Sequence, residues 1–364
     1  MRDEEATAGG GARRARGMDA GAGGHDATER ILLAHGAGGR LTQELVRELF
    51  LPAFANQYLA PLSDAALLPD WPADARPVMT TDAFVIDPPV FAGGDVGHLS
   101  VCGTVNDLAV AGARPLYLTW ALVLEEGADR ELIATCARGA ARAAQEAGVR
   151  IVAGDTKVVP RGRGDQIYIT TAGLGAVPSG RRCEDDRLVV GDAILASGPI
   201  GDHGATIMAT RHRLVSPGLR SDCAPVNRLT EALFAAGIDV HAMHDPTRGG
   251  VVTTCHEVAR RSGLGLLLEE ERIPVREEVR GVCDLLGLDP LALPCEGRVL
   301  VWLPDGEAER ALEVLRRDPD GAGAARIGRM TEGGAGRSPV RLRNAFGAER
   351  PVDLLSGMDL PRIC

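Results

Sequence analysis

The sequence predicts an α/β protein of two domains. Three observations carry that expectation: apolar strand-like runs alternate with amphipathic helical patterns, the alternation restarts near Leu188, and 364 residues suffice for two cores. Hydrophobic residues make up 45% of the chain and charged residues 25%, the balance of a globular protein. The formal net charge of −10 creates no field that would gather nucleic acid or an anionic membrane, so an anion site must be local. No apolar run reaches the length of a membrane span and no segment reads as a signal peptide, so a cytoplasmic location is expected. Eight cysteines without a C-x-x-C pair or zinc spacing read as reduced, mostly structural thiols.

In chain order, residues 1–29 are rich in Gly, Ala and Arg without apolar periodicity and read as a disordered extension. A first domain is expected over 30–186. The short apolar run Ile31 to Ala34 leads through His35-Gly36-Ala37-Gly38-Gly39-Arg40 into the helical pattern Leu41 to Phe50. Glycines in such a place mark either a plain turn or a loop whose backbone N–H groups receive phosphate oxygens. A helix is predicted over about Val96 to Ala111, a strand over Leu116 to Leu124, and a long helix over Asp129 to Ala147. The strand Val149 to Ala153 is expected to end at the loop Gly154-Asp155-Thr156-Lys157.

The second domain is expected over 187–346, with a strand at Gly191 to Ala196 and helices from Ala205 and over Val226 to Ala236. A further helix follows Asp245-Pro246-Thr247-Arg248-Gly249-Gly250, and its spacing places Cys255 in the core. His203, His241 and His244 do not form a metal cluster by spacing and read as structural. Glu296 lies in a turn before the strand Val299 to Leu303, where exposure is the default expectation. Residues 347–364 read as a mobile arm that ends on the thiol of Cys364. A terminal thiol is either an apolar plug or a reactive group, and its reactivity depends on where it docks.

Two features sharpen the chemistry. Of 40 basic residues, 39 are Arg, and the single lysine is Lys157; a compact ammonium is not interchangeable with a planar guanidinium. Asp64, Asp82, Asp87, Asp107 and Asp155 stand in polar or turn-like settings. Each alone reads as a cap or a solvated residue; together they offer the hard oxygen ligands that Mg²⁺ uses while it holds substrate phosphates.

In their order, the segments Gly154-Asp155-Thr156-Lys157-Val158-Val159, Ser197 to Thr206, Thr247-Arg248-Gly249-Gly250, Glu296-Gly297-Arg298 and Leu360-Pro361-Arg362-Ile363-Cys364 resemble the HypE family of hydrogenase maturation factors. These belong to the PurM-like ATP-dependent proteins, and the resemblance runs from about Ile31 to Cys364. It implies two PurM-like domains with an ATP–Mg²⁺ cleft between them and homodimerisation through the first. It also implies that Cys364 receives a carbamoyl group from a HypF-like carbamoyltransferase. The carbamoyl is then dehydrated to a thiocyanate, and the cyano group passes to iron in a HypC–HypD complex.

On that basis Asp82, Asp107, Asp155 and Asp245 are assigned to the metal–phosphate shell. Gly36, Gly38, Gly39, Asp64, Asn106, Thr156, Arg248 and Gly249 are assigned to nucleotide binding. Lys157 is assigned to charge stabilisation and Glu296 to proton acceptance. Two alternatives stand beside this reading: a PurM-like kinase or synthetase acting on a diffusible substrate, and a non-catalytic scaffold that uses the terminal thiol as a soft ligand.

Overall fold

The computed structural model describes residues 29–69, 71–333, 338–354 and 362–364. The expected N-terminal extension therefore lies outside the described residues except for Glu29, as does the segment 355–361 of the expected tail.

In the first domain the chain enters through a 3₁₀ turn, Leu33–Gly36, and the short helices α1 (Arg40–Leu45) and α2 (Leu51–Phe54), joined by a π-helical turn. Strand β1 (Ala75–Phe84) precedes a small hairpin, β2 (Val90–Phe91) and β3 (Gly94–Asp95). Helix α3 (Val96–Val110), strand β4 (Arg114–Glu125), helix α4 (Arg130–Ala147) and strands β5 (Arg150–Val159) and β6 (Ile167–Pro178) follow. Both long helices begin at aspartates whose side chains accept first-turn N–H groups, Asp95 from His98 and Asp129 from Glu131. Helix α4 ends at Gly148 in the left-handed conformation, as its position before a strand demands.

The four long strands form a sheet in the order β1-β6-β4-β5, antiparallel except for β4–β5, which α4 connects. Its inner face, with Leu118, Trp120, Leu122 and Ile169, is buried under the two helices. Among the described residues no helix or strand covers the outer face, with Met79, Tyr117, Val123 and Leu174; Tyr58 meets Tyr117 edge-on, and these residues are partly or fully exposed.

One local expectation is corrected. Strand β5 does not stop at Gly154 but continues through Lys157 to Val159, because its ladder with β4 runs unbroken from Thr119–Ala153 to Glu125–Val159. Asp155 and Lys157 are therefore strand residues, and strand parity fixes their face.

The second domain contains β7 (Ala193–Ala196), α5 (Asp202–Arg211), α6 (Asn227–Ala235), β8 (Ala242–His244), α7 (Gly250–Ser262), β9 (Gly265–Glu269) and α8 (Glu277–Leu286). It closes with β10 (Leu300–Leu303), α9 (Ala308–Leu315), β11 (Ala325–Thr331), β12 (Val340–Arg343) and β13 (Glu349–Pro351). Its sheet has the order β13-β12-β9-β11-β7-β10-β8. Alternate residues of one strand serve two layers: Leu300 and Trp302 pack with α7, while Val301 and Leu303 pack with α6 and α9. Cys255 is fully buried, as its spacing predicts.

The expected free arm is also shorter than the sequence implies. Glu349–Pro351 pairs with β12, and Val352 is buried and donates its N–H to Val340.

The α3–α4 contact is close enough to be tested. A Cβ on Gly97 would stand 1.8 Å from the carbonyl oxygen of Cys136, so Gly97→Ala must push the helices apart. The expected cost is about 1–3 kcal/mol of unfolding free energy, measured by denaturant titration; an unchanged midpoint would mean that the contact yields freely.

Candidate functional site

The chain end returns to the first domain and pairs with it. The N–H of Val85 donates to a carboxylate oxygen of Cys364, and that of Asp87 to the carbonyl of Arg362, both at 3.2 Å. This two-residue spacing is that of strand addition, here made by the protein's own terminus. From the other domain, the imidazole of His203 lies 2.7 Å from the carbonyl of Ile363, and Arg211 donates to Arg362 O. Ile363 is buried, and Arg362 forms an ion pair with Asp165. The terminus is thus held by both domains.

This seating brings Cys364 to a group of carboxylates. Asp82 on β1 and Asp107 on α3 face each other across the inner side of the sheet, where Thr104 donates to Asp82 at 3.2 Å and Thr80 to Asp107 at 2.7 Å. Asp245, after β8, and Glu296, before β10, come from the second domain. Burial first, and the neighbouring acids next, raise the carboxyls of Asp82 and Asp245, the latter to about 7. Asp107 is raised by burial.

Glu296 departs furthest from the sequence expectation. It is 2% exposed rather than solvated, and burial together with Asp245 and Asp222 pushes its carboxyl well above the usual range. Its Oε1 has no hydrogen-bond partner. The backbone around it is fixed: its N–H donates to Asp222 Oδ1 at 3.1 Å, and its carbonyl accepts from Asn106 Nδ2 at 3.1 Å. Burial and the charge of Glu296 push the Cys364 thiol up to about 12, against the opposing pull of Arg248.

Not every residue selected from the sequence joins this group. Asn106 is buried with its amide committed to Ala224, Glu296 and Val226, so it joins the domains rather than facing a ligand. In register, Asp82 lies opposite Thr171, Thr171 opposite Trp120, and Trp120 opposite Gly154. Asp155, one residue on, points from the other face, three strands and about 14 Å away at ~4.8 Å per strand. A single Mg²⁺, with ligands at about 2.1 Å, is therefore not shared by Asp155 and Asp82 within one chain.

Lys157 lies on the same outer face as Asp155 and pairs with it at 2.7 Å, both side chains exposed. It does not reach Glu296. Asp64, Asp155 and Thr156 line a separate open cavity of about 230 Å³ whose apolar walls include Phe50, Phe54 and Tyr58. Gly36 packs against Val158 of β5, which sets the 36–39 loop beside this region; Gly38 donates its N–H to Thr42.

Asp82, Asp107 and Asp245 offer oxygen donors only, the chemistry that a hard cation takes, while no three carboxylates of this group converge within 4.8 Å among the described residues.

Residues 62–177 match the N-terminal domain of the AIR synthase related proteins, and residues 189–341 their C-terminal domain. The chain is 46% identical over 340 residues to the carbamoyl dehydratase HypE of Rhodobacter capsulatus, covering 92% of this chain and 98% of that one. It is 44% identical over 338 residues to the carbamoyl dehydratase HypE of Escherichia coli, covering 92% and 99%. The chain belongs to the HypE family of carbamoyl dehydratases. A solved structure of HypE in complex with ATP superposes with a TM-score of 0.87 at 45% identity, covering 92% of this chain and 99% of that one. A HypE–HypF complex gives 0.74 at 40% identity, covering 87% and 100%. Thiamine-monophosphate kinase from Stenotrophomonas maltophilia, 22% identical with a TM-score of 0.60, shares the fold alone.

Sequence reasoning set aside His203 and did not select Ser221, Asp222 or Thr104. The one available signal for His203 was its place in the motif Ser197 to Thr206; nothing local announces that its ring meets the chain terminus.

The seated thiol titrates near 12 against about 9 for an ordinary cysteine, so seating favours the protonated form. Docking is then fully stable below pH 9 and weakens as pH rises from about 9 to 12. Alkylation of Cys364 by iodoacetamide, followed by peptide mass spectrometry, is expected to be about three- to tenfold faster at pH 8 in His203→Ala, which removes one latch hydrogen bond. Equal rates would exclude His203 as a latch.

Proposed function

We propose that this protein carries a carbamoyl group on the sulfur of Cys364 and dehydrates it to a thiocyanate with ATP, making the cyano group for the iron of a [NiFe] hydrogenase. The observation that carries this reading is the seating of Cys364 beside Glu296 and Arg248 at the acidic seam of the two domains. An S-carbamoyl group keeps its amide oxygen because hydroxide is a poor leaving group. ATP, with Mg²⁺ held by Asp82, Asp107 and Asp245, supplies the phosphoryl group that makes this oxygen leave as phosphate.

The chain's own residues do the rest. His203 and the 85–87 backbone fix the tail, so reacting atoms meet without a diffusional search. Arg248 supplies positive charge at the sulfur. Glu296, which burial holds neutral until positive charge enters the cleft with the nucleotide, would then be ionised and accept a proton from the nitrogen as the C≡N bond forms. Loss of phosphate and of both nitrogen protons leaves S–C≡N.

The first domain is proposed as residues 30–186 and the second as 187–346. The uncovered outer face of the first sheet, with Met79, Val123, Asp155 and Lys157, supports a homodimer in which that face meets a second copy. Lys157 and Asp155 would act there, with Gly36, Gly38, Gly39, Asp64 and Thr156 about the nucleotide. A HypF-like carbamoyltransferase supplies the tail and a HypC–HypD complex receives the cyano group, all in the cytoplasm. Among the described residues no helix is long and apolar enough to cross a membrane. A diffusible-substrate kinase or synthetase is the weaker reading, because it gives the seated Cys364 no role.

Intact-mass measurement of the C-terminal peptide after incubation with the carbamoyl donor enzyme, carbamoyl phosphate and ATP–Mg²⁺ tests the reading. Wild type is expected to gain one carbamoyl group and then lose one water. Glu296→Gln is expected to gain the carbamoyl but lose water about 10²–10⁴-fold more slowly, and Cys364→Ser to gain nothing. An unmodified wild-type tail, with the donor enzyme active on another acceptor, would refute the proposal.

A further inference from the structure

At the domain boundary beside the cleft, a second group of donors, two of them sulfur, joins the two domains. His98 and Cys102 are four residues apart on α3 and so share one face of the helix. Cys223 approaches from the second domain, on the segment between α5 and α6. One ligand atom from each of the three residues lies within 4.8 Å of the other two. Both thiols are buried and neither forms a disulfide. The reaction described above uses none of the three.

We propose that His98, Cys102 and Cys223 bind a thiophilic divalent cation of the zinc class and thereby staple the two domains together. Two sulfurs and an imidazole nitrogen are the donors that Zn²⁺ selects and Mg²⁺ does not. This set is chemically distinct from the all-oxygen carboxylates of the cleft. The site has an open edge: the His98 side chain is 12% exposed, and the carboxylate of Glu146 stands 3.9 Å from its Nε2. A fourth ligand position is left to water or to that carboxylate.

The placement gives the site a consequence. Cys223 belongs to a segment whose other members hold the reaction cleft together. Ser221 Oγ lies 2.8 Å from the His203 ring and accepts the Cys223 N–H. Asp222 receives the N–H of Glu296, and Ala224 O accepts from Asn106. A cation tying Cys223 to α3 fixes this segment against the first domain and with it the seat of the tail. Because the ligands come from separate domains, binding free energy becomes interdomain stability.

The test is titration of the reduced full-length protein with Co²⁺, followed by absorption spectroscopy and by displacement with Zn²⁺. One equivalent is expected to produce the thiolate-to-cobalt charge-transfer band in the near ultraviolet and the visible bands of a tetrahedral site. The charge-transfer intensity should fall in Cys223→Ser, and cobalt affinity should weaken by at least about tenfold in His98→Gln, where both thiols remain. Cys283→Ser, a buried thiol elsewhere, should bind as wild type does. Absence of the band in protein whose eight thiols count as reduced would overturn the proposal. So would its survival in both Cys223→Ser and His98→Gln, its loss in Cys364→Ser alone, or a Cys102–Cys223 disulfide in protein purified without reductant.

Discussion

Burying Glu296 at the seam between two domains is the constraint on which the site depends. A carboxyl removed from water favours its neutral form unless a cation or a donor meets it, and no protein group donates to Oε1. The backbone leaves it no escape. Asp222 holds its N–H and Asn106 its carbonyl, and Asn106 also grips Ala224 and Val226. Residues 296 and 224–226 therefore move as one body against α3. Separating the domains would break these contacts together, which is why a side chain from the second domain can keep station beside Asp82 and Asp107 from the first.

The same burial orders the charges. Asp82, Asp107 and Asp245 are all held above the ordinary carboxylate range, and the Cys364 thiol is pushed up to about 12. At neutral pH the resting cleft thus keeps its sulfur protonated. That state suits a thiol awaiting modification elsewhere, because a thiolate left in the cleft would be the reactive nucleophile. Once the sulfur carries an acyl group it no longer titrates, and the penalty against seating an ionised tail vanishes with it.

Holding the tail by backbone groups has a further effect. Val85, Asp87, His203 and Arg211 all address main-chain atoms of the last three residues, so the seat reads the terminus largely without touching the sulfur. A terminus can therefore return to the same place before and after its sulfur is modified. The Asp87 and His203 hydrogen bonds are each worth only about 0.5–1.5 kcal/mol net, and the charge-assisted ones, from Arg211 and to the terminal carboxylate, about 1.5–3, which permits release as well as seating.

By itself the sequence determined the two-domain α/β plan and most helix and strand positions; it singled out the terminal cysteine and, through the family resemblance, the aspartates at 82, 107 and 245. Those features are written in local chemistry: periodicity, capping aspartates, turn glycines and ordered motifs. The tertiary structure alone decided that Glu296 is buried, that His203 holds the terminus, and that Asn106 braces the seam. It also decided that Asp155 and Lys157 face away from Asp82. The last point rests on a single residue of strand parity, which is fixed only when β5 is paired with β4. Burial and long-range pairing are properties of distant segments brought together, so no window of sequence around Glu296, His203 or Lys157 contains them.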